Sequence, residues 1–513
     1  MWSPRREAAW LGALVLLGFC LRWPQLSASF YGDETFSLFR DSEQLITPTE
    51  DRFRPLFFSL LYLWKQLGFH GETGLRALPL VFGMLQIPVA FRLGRLLAGA
   101  RGALVFGALV TVNPLLIEFS QELRMYSMVP LIALLQALAL ATLNERASAG
   151  RNLLPAWIGF VAAGTVGVYT HFHYWFINAG FGLALLRRRD VLPFRQSVAA
   201  VAALGLLYLP DVPNLLRFQS EAASAPHLTA TDLPGALPKL LAAFALGFNY
   251  FALPDMGIDR VIQGSTLVAN ATLALLVAIP LGLVGLRLVQ LHLRRPLGPM
   301  LWMAHELFTV PALLSFAAVL AMKRNFVHPK YMVFCAPFLL LFVAAAFLSM
   351  TRRAERWLVG VSGAVVFGIA FAHFNDPRDY GRREDLRGVA SLLRPALKPG
   401  SVVLWLGNHT APGPMTKNSR PLSIWEYYGA DLFPYIRLIG LPRPDAAPDD
   451  LAPTIEQLTA GKREIYYVWL EIARNTDDPR DVILSELRQR LGSPQRTQLN
   501  PRLVVYRWSA PGH

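Results

Sequence analysis

From about residue 8 to about residue 373 the chain is a succession of long apolar runs, broken by short polar turns and arginine clusters. A helix needs about 20 apolar residues, within a range of roughly 17–25, to cross a bilayer. Only structures that satisfy every backbone polar group internally can do so. Runs of this length, repeated this often, describe a polytopic α-helical membrane protein. Composition agrees: 53% of residues are hydrophobic and 16% charged, against about 25% charged in soluble domains. Mean hydropathy is +0.36. A soluble enzyme, a disordered protein and a disulfide scaffold are excluded.

Lys and Arg number 49 against 35 Asp and Glu, a formal charge of +14. The excess sits between apolar runs, as Arg92, Arg95 and Arg101 or as Arg187, Arg188 and Arg189. Such clusters belong in cytoplasmic loops, so nucleic acid is not an expected partner. The two cysteines, Cys20 and Cys335, both lie in apolar runs and form neither a disulfide framework nor a metal motif.

Charge and parity thread the membrane. The first run, about Ala8 to Leu21, follows Arg5 and Arg6, which hold the amino terminus inside. It is short, and Ser27-Ala28-Ser29 loosely resembles a signal-peptidase site, but a retained helix is the expectation. Two apolar segments, Pro55–Phe69 and Arg76–Phe91, precede the inside marker Arg92–Arg101, and an odd number of crossings must join an outside loop to it. Pro55–Phe69 carries Lys65 and Gln66 and would extend only about 22 Å as a helix. It is therefore expected to lie in the outer interface.

By the same parity Gly102–Glu118 goes out and Met125–Leu143 returns to Arg146 and Arg151. Residues 154–186 are bounded by basic loops at both ends and must cross twice, turning at Tyr169–Tyr174. Residues 196–215 lead out to a polar loop near 218–235, 238–253 is a second non-crossing piece, and 265–289 returns to His292, Arg294 and Arg295. Runs near 299–321, 331–349 and 357–373 complete about eleven crossings. The amino terminus is then cytoplasmic and the carboxyl terminus extracytoplasmic.

From Asn375 the composition becomes that of a soluble domain. Glu384–Leu397 has helical periodicity and ends at Lys398-Pro399-Gly400. Ser401–Leu406, Glu464–Leu470 and Leu503–Trp508 read as strands, Arg480–Leu491 as a helix, and the Pro- and Asp-rich Leu441–Pro453 as the nearest thing to a linker. The expected architecture is a transmembrane domain over 1–375 and a small α/β extracytoplasmic domain over 376–513.

Polar residues collect at one leaflet. The first outer loop holds Tyr31-Gly32-Asp33-Glu34-Thr35, then Arg52 and Arg54 ahead of Pro55. A second outer turn holds Gln121, Glu122, Arg124 and Tyr126, and a third holds His171, His173 and Tyr174. A late outer loop holds Lys323, Arg324, Lys330 and Tyr331. Each has a plain alternative: a solvated loop pair, an interface anchor, aromatic packing, or lysines against anionic lipid. Their joint occurrence is what points to function. Cations placed at an outer edge against the usual bias suggest an anionic partner held there. His305-Glu306-Leu307-Phe308-Thr309 begins like a zinc protease motif but lacks the second histidine, and no P-loop, dinucleotide fingerprint or CxxC is present.

Four features carry a resemblance: Asp33-Glu34 after the first span, Gln121-Glu122-Leu123-Arg124-Met125-Tyr126 opening a later helix, Thr170-His171-Phe172-His173-Tyr174 at an outer turn, and Lys330-Tyr331 ahead of Pro337. Their order along the chain resembles the bacterial GT-C membrane glycosyltransferases related to protein O-mannosyltransferases and to the aminoarabinose and galacturonic acid transferases of lipid A, a family 39-like group. Arg383-Glu384-Asp385-Leu386-Arg387-Gly388 resembles the start of that family's periplasmic domain.

The resemblance implies a bacterial plasma-membrane enzyme with a polyprenyl-phosphate sugar donor. It implies inversion at the anomeric carbon and an acceptor reached from the periplasmic side, whether protein, lipid A or another glycan. It makes Asp33 the catalytic carboxylate with Glu34 beside it, and Glu122 a second acidic residue. Arg54 before Pro55 stands for the phosphate-binding cation, although many relatives have His-Pro-Pro where this chain has Arg54-Pro55-Leu56. Lys330-Tyr331 matches a late basic-Tyr pair with Lys in place of the commoner Arg.

The chemistry suits these residue types independently. Attack by a hydroxyl on a sugar carbon needs a carboxylate base. A phosphate leaving group departs as an anion and needs cations more than a general acid. Asp33 can serve as the base, while Arg54, Lys323, Arg324 or Lys330 can hold the lipid phosphate. Asp33, Glu34, Glu122 and the histidines leave a divalent ion open without demanding one. The main rival is a transporter or flippase of lipid-linked or anionic substrates. It predicts charges near the midplane and two related halves, whereas here the charges gather at one edge and no repeat is visible.

Overall fold

The computed structural model describes residues 2–30, 34, 37–38, 55–213, 240–241, 244, 281–293, 297–322, 330–375, 385–406, 413–414, 427–440, 448–470, 478, 480–500 and 503–509. By contacts the chain divides into two units, Met1–Leu26 with Glu43–His373, and Ser27–Ser42 with Phe374–His513.

The first unit is helical. Gly71–Val112, Met125–Ser148 and Pro299–Ala318 are long and apolar enough to cross a membrane, by length and composition. Leu154–Thr170, Phe194–Tyr208, Leu281–Leu293 and Val333–Ser349 are shorter apolar helices. Gly71–Val112 would reach about 63 Å if straight, roughly twice a hydrocarbon core. It breaks instead at Ala98 and Gly99, where Gly99 adopts φ 68. That left-handed backbone suits glycine and turns the chain back within the Arg92–Arg101 cluster.

Ion pairs and hydrogen bonds gather at this arginine-rich end. Arg95 pairs with Glu7, and Arg187 with the buried Glu306. Arg287 pairs with Glu355 at 2.5 Å, and Arg188 donates to Asn144 Oδ1 at 3.2 Å. The zinc-like His305–Thr309 stretch forms a π-helical turn inside the 299–322 run. There His305 Nε2 meets His292 Nε2. Its glutamate serves helix–helix pairing with Arg187.

Other breaks mark the opposite end. Pro55–Gln66 is a separate 12-residue helix. Asn113 ends one helix and starts the next, its side chain accepting from Leu116 N at 3.1 Å with Pro114 in the first turn. The short Pro114–Ser120 helix gives way to residues 121–124, and Met128–Ser148 follows. His171–His173 separate Leu154–Thr170 from Tyr174–Arg187, within the turn expected at Tyr169–Tyr174. Below that turn Tyr174 donates to Gln136 Oε1 and Gln136 donates to Asn178 Oδ1, both at 2.9 Å.

Among the described residues of the second unit, six strands form one sheet ordered β2-β3-β1-β4-β6-β5. These are β1 Ser401–Leu406, β2 Gly413–Pro414, β3 Ile436–Ile439, β4 Glu464–Leu470, β5 Gln495–Asn500 and β6 Leu503–Ser509. β1 runs parallel to β3 and β4, while β6 is antiparallel to β4 and β5. Every residue of β1 is buried, because the sheet is covered on both faces. Val402, Leu404 and Leu406 pack with Leu451, Ile455, Ile483 and Leu487 on one face. Val403 and Trp405 pack with Leu386, Val389, Ala390 and Leu393 on the other.

The segment expected as a linker contains the start of a helix, Pro448–Thr459, whose first turn carries Asp449 and Asp450. Proline and acidic residues are start signals there rather than breakers. Asp478 accepts from Val482 N at 2.8 Å and Ile483 N at 2.9 Å, anchoring the amino end of Val482–Leu491.

Candidate functional site

Three helix breaks of the first unit bring six of the fourteen expected residues into one array. Gln121, Glu122 and Arg124 sit in a tight buried turn, where Arg124 N donates to Glu122 O at 2.7 Å. Arg124 Cζ lies 5.9 Å over the ring of Tyr126. Tyr126 is 6.2 Å from the ring of His171, and His171 is 6.0 Å from that of Tyr331. His173 stacks on Tyr331 at 5.2 Å with the planes 15° apart. Lys330 Nζ stands 5.5 Å over the same Tyr331 ring. The sequence Arg124, Tyr126, His171, Tyr331, Lys330 is thus a continuous run of cation–ring and ring–ring contacts, drawn from residues more than 200 apart in the chain. Cations over aromatic faces are attracted by the ring quadrupole. Tyr126, His171 and His173 are buried and Lys330 and Tyr331 half-buried.

Tyr174 is placed differently. It is fully buried, its hydroxyl engaged by Gln136, and its ring lies against Gly167 so closely that a Cβ there would collide with it. Glu34, also fully buried, belongs to the second unit. Asp33, Arg54, Lys323 and Arg324 lie outside the described residues. Among the described residues no group of three or more His, Cys, Asp or Glu is arranged to hold a metal ion.

Two residues of the same unit were not foreseen. Arg22 is fully buried and donates to Thr111 O at 2.9 Å, to Gly18 O and Ser120 Oγ at 3.2 Å, and to Val110 O at 3.4 Å. Its own carbonyl accepts from Gln121 Nε2 at 2.8 Å. Val110 and Thr111 lie in the last turn of their helix, whose carbonyls have no intrahelical donors, so the guanidinium completes that helix end. Arg76, likewise fully buried, donates to Leu26 O at 2.9 Å. An arginine closing an apolar run, as Arg22 does, reads in sequence as an interface anchor. The one hint against that is the lack of a carboxylate one helical turn from Arg22 on either side.

The whole chain superposes on a solved structure. ArnT from Cupriavidus metallidurans bound to undecaprenyl phosphate matches at a TM-score of 0.55 and 12% identity, covering 99% of each chain. The apo form of that protein matches at 0.55 and 13%, covering 98% of each. The fold is that of the GT-C glycosyltransferases. Archaeal AglB from Archaeoglobus fulgidus, in complex with an inhibitory peptide and a dolichol-phosphate, matches at a TM-score of 0.44 and 12% identity over 92% of this chain and 70% of its own. No family model and no curated protein matches the sequence. The GT-C fold thus emerges from structure where sequence comparison is silent.

Proposed function

We propose that this chain is a membrane glycosyltransferase that moves a sugar from a polyprenyl-phosphate donor to a hydroxyl acceptor on the extracytoplasmic side, with inversion at the anomeric carbon. The observation that carries the reading is the full-length likeness to ArnT, a protein solved with undecaprenyl phosphate bound. The cation–aromatic array at one end of the helical unit supports it.

Asp33 takes the proton of the acceptor hydroxyl as its oxygen attacks the anomeric carbon. The bond from that carbon to the phosphate oxygen breaks, and the phosphate leaves with the electron pair. Arg54, Lys323, Arg324 and Lys330 hold the phosphate and stabilise the charge gathering on it, with Arg124 adding positive potential nearby. Glu34 stands next to Asp33 in sequence as a second carboxylate, and Gln121 fixes the Glu122 turn through its bond to Arg22 O. The buried rings of Tyr126, His171 and His173 back the half-buried Tyr331, whose ring can meet the apolar side of a sugar. Tyr174 supports the His171–His173 turn from beneath. Asp33, Glu34, Glu122 and the histidines leave a divalent ion open. The donor tail stays in lipid, and the amino terminus faces the cytoplasm by the arginine distribution.

The test is release of free polyprenyl phosphate from a panel of polyprenyl-phosphate sugars by the purified, lipid-reconstituted chain. Acceptor-dependent release from one donor is expected. No release from any donor, with intact protein and envelope acceptor fractions present, would overturn the reading.

A further inference from the structure

The loop that carries Asp33 and Glu34 begins with described residues, and these are tied to the sheet domain. Ser27–Ser42 belong to the same compact unit as Phe374–His513. Phe30 N donates to Tyr428 Oη at 2.7 Å, and the Phe30 ring meets Tyr427 edge-on at 5.3 Å. Ser29 Oγ accepts from Arg387 N at 3.3 Å, while Arg387 Nη2 donates to Ser27 O at 3.3 Å.

The Arg387 bond is a helix cap. Leu386–Leu393 opens with Asp385, whose side chain accepts from Gly388 N at 2.9 Å. A helix start leaves backbone donors without intrahelical partners, and here one is met by Asp385 and the next by Ser29. Gly388 keeps the Asp385 carboxylate close, since a Cβ would collide with it. The same helix is fixed to the sheet through Leu386, Val389, Ala390 and Leu393. At its other end Arg394 donates to Tyr428 O at 2.9 Å and to both oxygens of Asp431 at 2.8 and 3.0 Å. One helix therefore sets both anchors, Ser29 through its first turn and Tyr428 through its last. Asp33 follows Phe30 by three residues, about 10–11 Å of fully extended chain. Glu34, next to Asp33 and four residues past Phe30, is fully buried in this same unit.

We propose that the sheet domain is the mount for the Asp33–Glu34 loop, with Tyr428 and the Ser29-capped start of the Leu386–Leu393 helix as its positioning elements. This rests on the transferase reading for its purpose but not for its geometry. The extracytoplasmic domain then orients the base, separately from the residues that grip the donor.

The test compares the full chain in lipid nanodiscs with Tyr428→Phe, Ser29→Ala and the double variant. Hydrogen–deuterium exchange is read over residues 27–38 and, as the internal control, over β1 and β4. The double variant is expected to exchange about tenfold faster or more at the loop, with the strands unchanged, and to lose kcat while KM for the donor stays within about twofold. Tyr428→Phe keeps the ring and its packing, so it isolates the hydroxyl. Loop exchange identical to wild type in the double variant overturns the docking. Faster exchange with full kcat overturns the positioning role. Faster exchange with no turnover even in the wild type instead refutes the transferase reading and leaves the mount in place.

Discussion

Replacing Arg22 by methionine removes a fully buried guanidinium that holds Thr111 O, Gly18 O, Val110 O and Ser120 Oγ together. Two opposing terms decide the outcome. Burying the charge costs several kcal/mol, and that cost disappears with the arginine. Against it, hydrogen bonds from a charged donor contribute about 1.5–3 kcal/mol each, and acceptors left bare inside a membrane domain carry the full desolvation penalty. Ser120 Oγ keeps its bond to Leu116 O at 2.5 Å. The helix-end carbonyls Val110 O and Thr111 O lose the side-chain donor that completes them.

The loss of bonds wins, and Arg22→Met should be destabilised by about 2–4 kcal/mol. Arg22→Lys can reach one acceptor from a point charge and should lose roughly half as much. For a chain of this size the methionine variant should melt about 2–4 °C lower, followed by tryptophan fluorescence in detergent. A methionine variant melting at or above the wild type would refute the reasoning, because it would mean that desolvation outweighs the helix-end bonds.

Gly167→Ala drives a methyl into the Tyr174 ring and should cost about 1–3 kcal/mol by overpacking; combined with Tyr174→Ala the loss should be less than the sum, read as a coupling in melting temperature. In the sheet domain, the Tyr466 hydroxyl and then the Arg507 guanidinium hold the Glu464 carboxyl below its ordinary value of 4.5. Its contribution is therefore present above pH about 4.5 and lost as pH falls through the depressed folded value, a slope that Glu464→Gln should remove. Burial, and then its bond to Glu464, push Tyr466 up to about 12. Its contribution is complete below pH about 10 and lost as pH rises towards 12, and Tyr466→Phe should flatten that alkaline limb in thermal melts. Under the transferase reading, Lys330→Ala should raise the donor KM several-fold with kcat little changed, and an unchanged KM would remove Lys330 from phosphate binding.

Much of the helical unit was legible because bilayer thickness and the arginine bias act on sequence directly. The break at His171–His173 falls where parity demanded a turn, and the corner at Ala98–Gly99 falls inside the arginine cluster. In the sheet domain β1 and β4 stood out as apolar runs. β5 did not, since Gln495–Asn500 is a polar edge strand paired on one side only, and four-residue β3 is too short to show a period.

At the site, the aromatic and basic residues were readable one by one, but not that they form a single array, because that depends on three distant helix breaks meeting. Arg22 was hard to read for a physical reason: three of its four acceptors are backbone carbonyls, which no side chain in the sequence announces. The docking of Ser27–Phe30 on the sheet domain was hidden likewise, since each of these hydrogen bonds pairs a backbone group with a side chain more than 350 residues away.

The most direct measurement is turnover of Asp33→Asn with a polyprenyl-phosphate sugar donor, alongside wild type matched for membrane integration and melting temperature. Removing a general base of this kind should lower kcat by about 100-fold or more while donor binding persists. Full turnover in a folded Asp33→Asn preparation would contradict the account.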